Sequence, residues 1–324
     1  VCARRFEFVE YGKQYEGDAE KTICCDGLVK GSKLHLTHWS GNETPQEYKD
    51  DLSTEIALRF IKMTKGSSEW DDAVLLNNHF DTDGVMSVWA LLNPELALKY
   101  EAKIVSAAAA GDFEEWGFSD YGLKLDIALK KLRSEAGSDK KAYEQVFPEV
   151  EDLINTVEDR PELWKEDLDK LNEQFMKVCN DEIMTSTLED NKTKFRHASG
   201  KVGTIGIMVH PKGVEEVSPY VVSRTFPQSS AGMGDSVTRI LLATEQEDGT
   251  YLYNYQRPGH AWADTSRRQK IEKPNVEKLL EVLGPKWTSE DFDVVGTTSP
   301  VAEGPEQMAD LLLGAERSIL PRLA

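Results

Sequence analysis

Ala73-Val74-Leu75-Leu76-Asn77-Asn78-His79-Phe80-Asp81-Thr82-Asp83-Gly84 decides how this chain is read. Four consecutive apolar residues read as a strand buried on both faces, as strands of parallel sheets are. Val85-Met86-Ser87-Val88-Trp89-Ala90-Leu91-Leu92 then reads as the first turns of a helix. One imidazole and two carboxylates thus alternate where a strand ends and a helix begins. In open α/β sheets that carboxyl end is where ligands bind. Three such groups crowd together only if a cation or a tight hydrogen-bond network balances them. We therefore read His79, Asp81 and Asp83 as ligands of a divalent metal and as the catalytic centre. The competing reading makes Asp81 a helix cap and Asp83 a turn residue before Gly84. An EF-hand loop is excluded, because its twelfth position needs an acid and here holds Ala90.

Outward from this stretch, Phe6–Val9 and Lys33–Trp39 alternate and read as short strands. Thr44-Pro45-Gln46-Glu47 has the form of a capping box, so a helix is expected from there through the stripe Leu52, Ile56, Ala57, Phe60 and Ile61, ending at Gly66. Pro94 opens another helix, and Ala102–Ala109 reads as the next buried strand with Asp112 after it. A right-handed crossover between the two strands brings Asp112 to Asp81 and Asp83 as a fourth metal ligand. Residues 119–191 read as charged helices, a bundle beside the sheet. Beyond them Val202–Val209 and Tyr220–Ser223 read as strands, Ser236–Ala243 as a strand or helix, and Tyr251–Tyr255 as the second strand of a hairpin turning at Asp248-Gly249. Helices follow from Pro274 and Pro305. The expected fold class is α/β. A parallel-sheet domain with its helical segment spans residues 1–195, and a second, smaller α/β domain spans residues 196–324.

The 324 residues carry a formal net charge of -19 and 40% hydrophobic residues. So acidic a surface excludes a protein that grips long nucleic acid or anionic membrane. No apolar run is long enough to span a bilayer, and Val1–Tyr11 lacks a secretory core. Cys2, Cys24, Cys25 and Cys179 form neither a zinc pattern nor a disulfide framework, so a cytoplasmic setting is expected. A homodimer is compatible with these features.

Mixed His and Asp ligation favours Mn²⁺, with Mg²⁺ as the alternative. His38, at a strand end before Ser40-Gly41-Asn42, is placed to approach the metal and its substrate. Arg257, His260 and Arg267 belong to a positive cluster with Arg268 in an otherwise acidic chain; guanidinium groups there suit a phosphate or carboxylate. Arg224–Gly234 is rich in small residues but lacks the Gly-Lys-Ser/Thr ending of a phosphate-binding loop, and reads as a mobile loop.

His79-Phe80-Asp81-Thr82-Asp83-Gly84 after an apolar strand resembles the first motif of the DHH phosphoesterase superfamily, in its RecJ-type form. Ala110-Gly111-Asp112 resembles the second motif, a lone Asp after the next strand, and Arg257-Pro258-Gly259-His260-Ala261 faintly resembles the Gly-Gly-Gly-His of the superfamily's C-terminal substrate-binding domain. The resemblance implies two metal ions, usually Mn²⁺, that activate water to attack phosphorus. It departs at the third motif: no histidine lies between Asp112 and His197, so there is no Asp-His-His run. His35, His38, His197, His210 and His260 are the candidates to supply the missing imidazole. The expected function is a metal-dependent hydrolase, cleaving a small phosphorylated metabolite or short nucleotide through metal-activated water. The alternatives are a metal enzyme acting on an amide-type bond and a non-catalytic binding protein that kept the fold.

Overall fold

A computed structural model describes residues 4–189, 204–212, 216–227, 237–289 and 294–319. Two compact units are resolved. The first comprises residues 1–170 together with Trp262–Arg267, and the second the remainder. The expected boundary at 195/196, His197 and most of the 224–234 loop lie outside the described residues.

The first unit contains β1 (Arg5–Phe8), β2 (Thr22–Cys25), β3 (Leu34–Leu36), α1 (Ser53–Met63), β4 (Val74–Asn77), α2 (Thr82–Leu92), α3 (Pro94–Lys99), α4 (Glu101–Phe113), α5 (Tyr121–Ala136), α6 (Asp139–Gln145) and α7 (Val150–Thr156). Its four strands form a parallel sheet in the order β1-β4-β2-β3. β2 and β4 are buried along their whole length, which is why each is mostly apolar, with Thr22 and Asn77 as the polar exceptions at their ends. α2 is buried from Thr82 to Leu91 and packs against α1 and α4. α1 turns Ile56, Ala57, Phe60 and Ile61 into the core beneath them. α8 (Lys165–Cys179) carries the chain across the junction between the units.

The second unit contains β5 (Met184–Glu189), β6 (Thr204–His210), α9 (Pro219–Thr225), β7 (Arg239–Glu245), β8 (Tyr251–Gln256), α10 (Val276–Leu283), β9 (Trp287–Thr288), β10 (Val294–Thr298) and α11 (Pro305–Ile319). Its mixed sheet has the order β5-β6-β7-β8-β10-β9, with only β6 and β7 parallel. α11 covers it with Met308, Ala309, Leu312 and Leu313. The chain is thus a two-domain α/β protein. No described helix is long and apolar enough to cross a membrane.

Three local expectations are corrected. Ala102–Ala109 is helix, not strand. Alanine is the best helix former and a poor strand former, and Ile104, Ala107 and Ala108 share the buried face. The small side chains let α5 approach so closely that a Cβ on Gly122 would lie 2.4 Å from the Ser106 carbonyl oxygen. The Thr44 capping box starts no helix, because α1 begins nine residues later, at Ser53. The Thr44 hydroxyl instead accepts from Thr37 N (3.1 Å) and donates to Thr37 O (2.7 Å), closing the loop after β3. Tyr220–Ser223 is helical, with Pro219 at the first turn, where a missing N–H costs nothing. Ser236–Ala243 resolves, within its described part, to β7.

Candidate metal centre

Three neighbouring strands deliver their side chains to one place. β4 leads to His79, Asp81 and Asp83, β2 leads directly to Asp26, and β3 leads to His38. The last turn of α4 adds Asp112. Asp112 thus arrives from a helix end, not by the strand crossover that the sequence implied. Two donor sets result. Asp26, His38, Asp83 and Asp112 form one, and Asp26, His79 and Asp81 the other, so Asp26 belongs to both.

Three of the four carboxylates, Asp26, Asp81 and Asp83, are held by a hydroxyl or by backbone amides. Asp81 caps α2, its Oδ1 accepting from Gly84 N at 2.8 Å, while its Oδ2 lies 2.8 Å from His79 Nε2. The cap reading of Asp81 therefore holds. Asp26 accepts from the Ser53 hydroxyl at Oδ1 (2.7 Å) and presents Oδ2 2.9 Å from His79 Nε2. Asp83 accepts from Ser53 N and Thr54 N, both at 2.7 Å, and so caps α1 from the side. Asp112 Oδ2 lies 3.1 Å from His38 Nε2. Gly84 is required by the crowding, since a Cβ there would sit 2.5 Å from Asn77 Nδ2 and 2.9 Å from Asp81 Oδ1. Asp26 itself has φ 64, a left-handed conformation that costs a non-glycine residue about 1 kcal/mol or more.

The imidazole tautomers follow from their outer partners. His38 Nδ1 lies 2.7 Å from the carbonyl oxygen of Asp51, which only accepts, so Nδ1 carries the hydrogen. His79 Nδ1 lies 2.8 Å from Asn78 Oδ1, and the Asn78 amide is oriented by its own donation to Leu28 O (3.1 Å). Both rings are therefore steered to turn Nε2 toward the carboxylates, the arrangement by which proteins orient metal-binding histidines. Yet neither Nε2, nor Asp26 Oδ2, has an aligned hydrogen-bond partner, although all three are shielded from solvent.

The electrostatics demand positive charge. Burial opposes a proton on His38, but Asp112, Asp83 and Asp26 overcome it and raise its pKa to about 10. His79 is raised to about 12, as Asp81 and Asp26 outweigh burial. Burial and the neighbouring Asp26 raise Asp83 to about 7, and burial with Asp81 and Asp83 holds Asp112 well above the ordinary carboxylate range. Asp81 is lowered, because His79 outweighs the burial cost.

The two sets differ in access. The side chains of Asp26, His38 and Asp83 are fully buried and that of Asp112 is 4% exposed, whereas His79 and Asp81 are 17% and 34% exposed. Trp262 closes the buried side. Its ring meets His38 edge-on at 4.9 Å, and its indole N–H lies 3.4 Å from Asp112 O. Trp39 stands between His79 (5.2 Å) and Trp262 (5.8 Å).

The remaining candidates lie elsewhere. Arg267 pairs with Asp50 (2.7 Å) and with Glu55, at the flank of the first unit. Arg257 and His260 belong to the second unit, where Arg257 donates to Ala261 O and Ile271 O and His260 Nε2 contacts Gln269 O (3.1 Å). His210 ends β6 in the same unit, and His35 accepts from Glu43 N. Asp26 is the residue that sequence reasoning missed. Its signal was the same as that of the decisive stretch: Ile23-Cys24-Cys25 is a short apolar run closed by an acid and Gly27.

A family model matches residues 4–300. The chain belongs to the DUF6687 family. That family is one of unknown function, and no curated protein matches the chain. The match covers the whole candidate centre, from Asp26 to Asp112, and extends through Trp262.

Proposed function

We propose that the chain is a metal-dependent hydrolase of phosphate esters, using Mn²⁺ or, as the alternative, Mg²⁺, on a small anionic substrate. One observation carries the reading. Two imidazole nitrogens and a carboxylate oxygen converge within one cluster of carboxylates, shielded from water and without an aligned hydrogen bond. Buried polar atoms left so cost about 1–3 kcal/mol each, a cost that a ligand offsets. The donor set of oxygen and imidazole fits Mn²⁺, and the sharing of Asp26 fits two ions.

Bound divalent ions supply Lewis acidity, lowering the pKa of water toward neutrality and offsetting the charge of a phosphoryl group. The chain's own residues do the rest. Asp51 and Asn78 fix the imidazole tautomers, while Ser53, Thr54 and Gly84 hold the carboxylates by their outer oxygens or amides. Trp262 and Phe113 shield His38, which leaves the His79–Asp81 side as the approach for substrate. The strand-to-helix run after β4 supports a relationship to the DHH phosphoesterases, whereas Asp112, in the last turn of a helix and not after a strand, departs from the second motif. His38, grouped with Asp83 and Asp112, is the imidazole that we assign in place of the absent Asp-His-His run.

The test is elemental analysis of purified protein with Asp81→Asn and Asp83→Asn beside it, followed by assays of phosphate release against amine release. Lower Mn²⁺ content in both folded variants and phosphate release by the parent protein support the reading. Unchanged metal content in both variants removes the site. Amine release alone transfers the centre to amide chemistry.

A further inference from the structure

The segment Trp262–Arg267 belongs to the first unit, although the chain on both sides of it belongs to the second. Its attachment combines backbone hydrogen bonds with side-chain ion pairs. Asp264 N donates to His38 O at 2.8 Å. Ser266 N and Arg267 N both donate to Asp51 Oδ1, at 2.8 and 2.7 Å. The Asp264 side chain pairs with Lys49 at 2.6 Å. Asp51 faces both ways: its carbonyl receives the His38 Nδ1 hydrogen, and its buried carboxylate receives the segment. The first half of the segment thus bears on His38 twice, Asp264 through the His38 carbonyl and Trp262 through the ring. A buried carboxylate accepting two amides is a strong, charge-assisted anchor. An ion at the buried set needs His38 Nε2 in one place, and outer partners of such ligands typically change metal affinity 10–100-fold.

We propose that Asp51 is a positioning residue that docks Trp262–Arg267 and, through that docking, holds His38 in its ligand geometry, so that metal binding and docking of the segment reinforce each other. The proposal rests on the metal reading above and assigns it a second, distant stretch of sequence.

The experiment uses the full chain. Mn²⁺ titration by calorimetry and hydrogen–deuterium exchange are measured for the parent, Asp51→Ala, Asp51→Asn and Ser266→Pro. In the parent, Mn²⁺ should slow exchange at Asp264, Ser266 and Arg267. Asp51→Ala should speed it about tenfold or more and weaken the tighter Mn²⁺ binding about tenfold. Asp51→Asn, whose amide oxygen accepts the same two N–H groups, should restore both to within about threefold. Ser266→Pro removes one donor while leaving Asp51 in place, and should reproduce the loss of affinity even if Asp51→Ala does not fold. Fast exchange with parental Mn²⁺ affinity in Asp51→Ala or Ser266→Pro overturns the coupling alone. Asp51→Asn as weak as Asp51→Ala also overturns it, since charge and not docking would then be the cause. A parent chain that takes up no Mn²⁺ overturns the metal reading itself, and this proposal with it.

Discussion

The two halves of the centre share Asp26 and otherwise contrast. The His38–Asp83–Asp112 half is sealed, and its groups are anchored by the start of α1 and by a segment from beyond residue 260. The His79–Asp81 half is built within five residues at one strand end and keeps contact with solvent. A local cluster needs only a turn, whereas a sealed one needs several parts of the chain to close together. The sealed half should therefore govern stability and tight metal retention, and the open half exchange and chemistry.

The largest effect belongs to the shared residue. Asp26→Ala should abolish Mn²⁺ uptake in both halves by elemental analysis; retention of one ion would break the shared-ligand assignment. His38→Gln comes next. It should lose the tighter ion and also lower the unfolding free energy in urea by about 1–3 kcal/mol, because Asp112 and Asp51 lose a buried partner. His79→Gln should lose one ion and phosphate release, yet destabilise the metal-free chain less than His38→Gln does, because its side chain is partly exposed while that of His38 is fully buried. Equal destabilisation by the two histidine variants would erase the contrast.

A pH series sharpens it further. With their pKa raised to about 10 and about 12, both imidazoles hold a proton at neutral pH in the metal-free chain, and each ion must displace one. Calorimetric Mn²⁺ affinity should then rise with pH between 6 and 8, about tenfold per unit for each proton released. Buffers of different ionisation enthalpy count those protons, and a flat profile would contradict the imidazole ligands. The smallest effect is expected far from the centre. Arg257→Lys should leave Mn²⁺ content unchanged and cost the second unit about 1 kcal/mol, since its guanidinium serves two carbonyl groups.

Much of the first unit was legible. The apolar runs of β4 and α2 and the stripe of α1 state their burial directly, and the acids after β4 mark one edge of the carboxylate–imidazole cluster. What misled was composition without context. Ala102–Ala109 is apolar throughout, and only its close packing on α5 shows that it is helical. Arg257, His260 and Arg267 are alike on paper, but each finds its partners among backbone carbonyls or acids. Thr44 looked like a helix start, but the first amides of α1 are capped by Asp83, thirty residues away in sequence from Ser53.

Taken alone, the sequence determined the α/β class, the strand-to-helix turn at Asn77–Gly84 and the presence there of His79, Asp81 and Asp83, because these depend on periodicity and residue type over a dozen positions. Tertiary structure decided that Asp26 and His38 join them, that Asp112 comes from a helix end, and that Trp262–Arg267 closes one side. Such groups meet only when distant segments pack. No local pattern records which strand lies beside which, and that adjacency brings these carboxylates and imidazoles together.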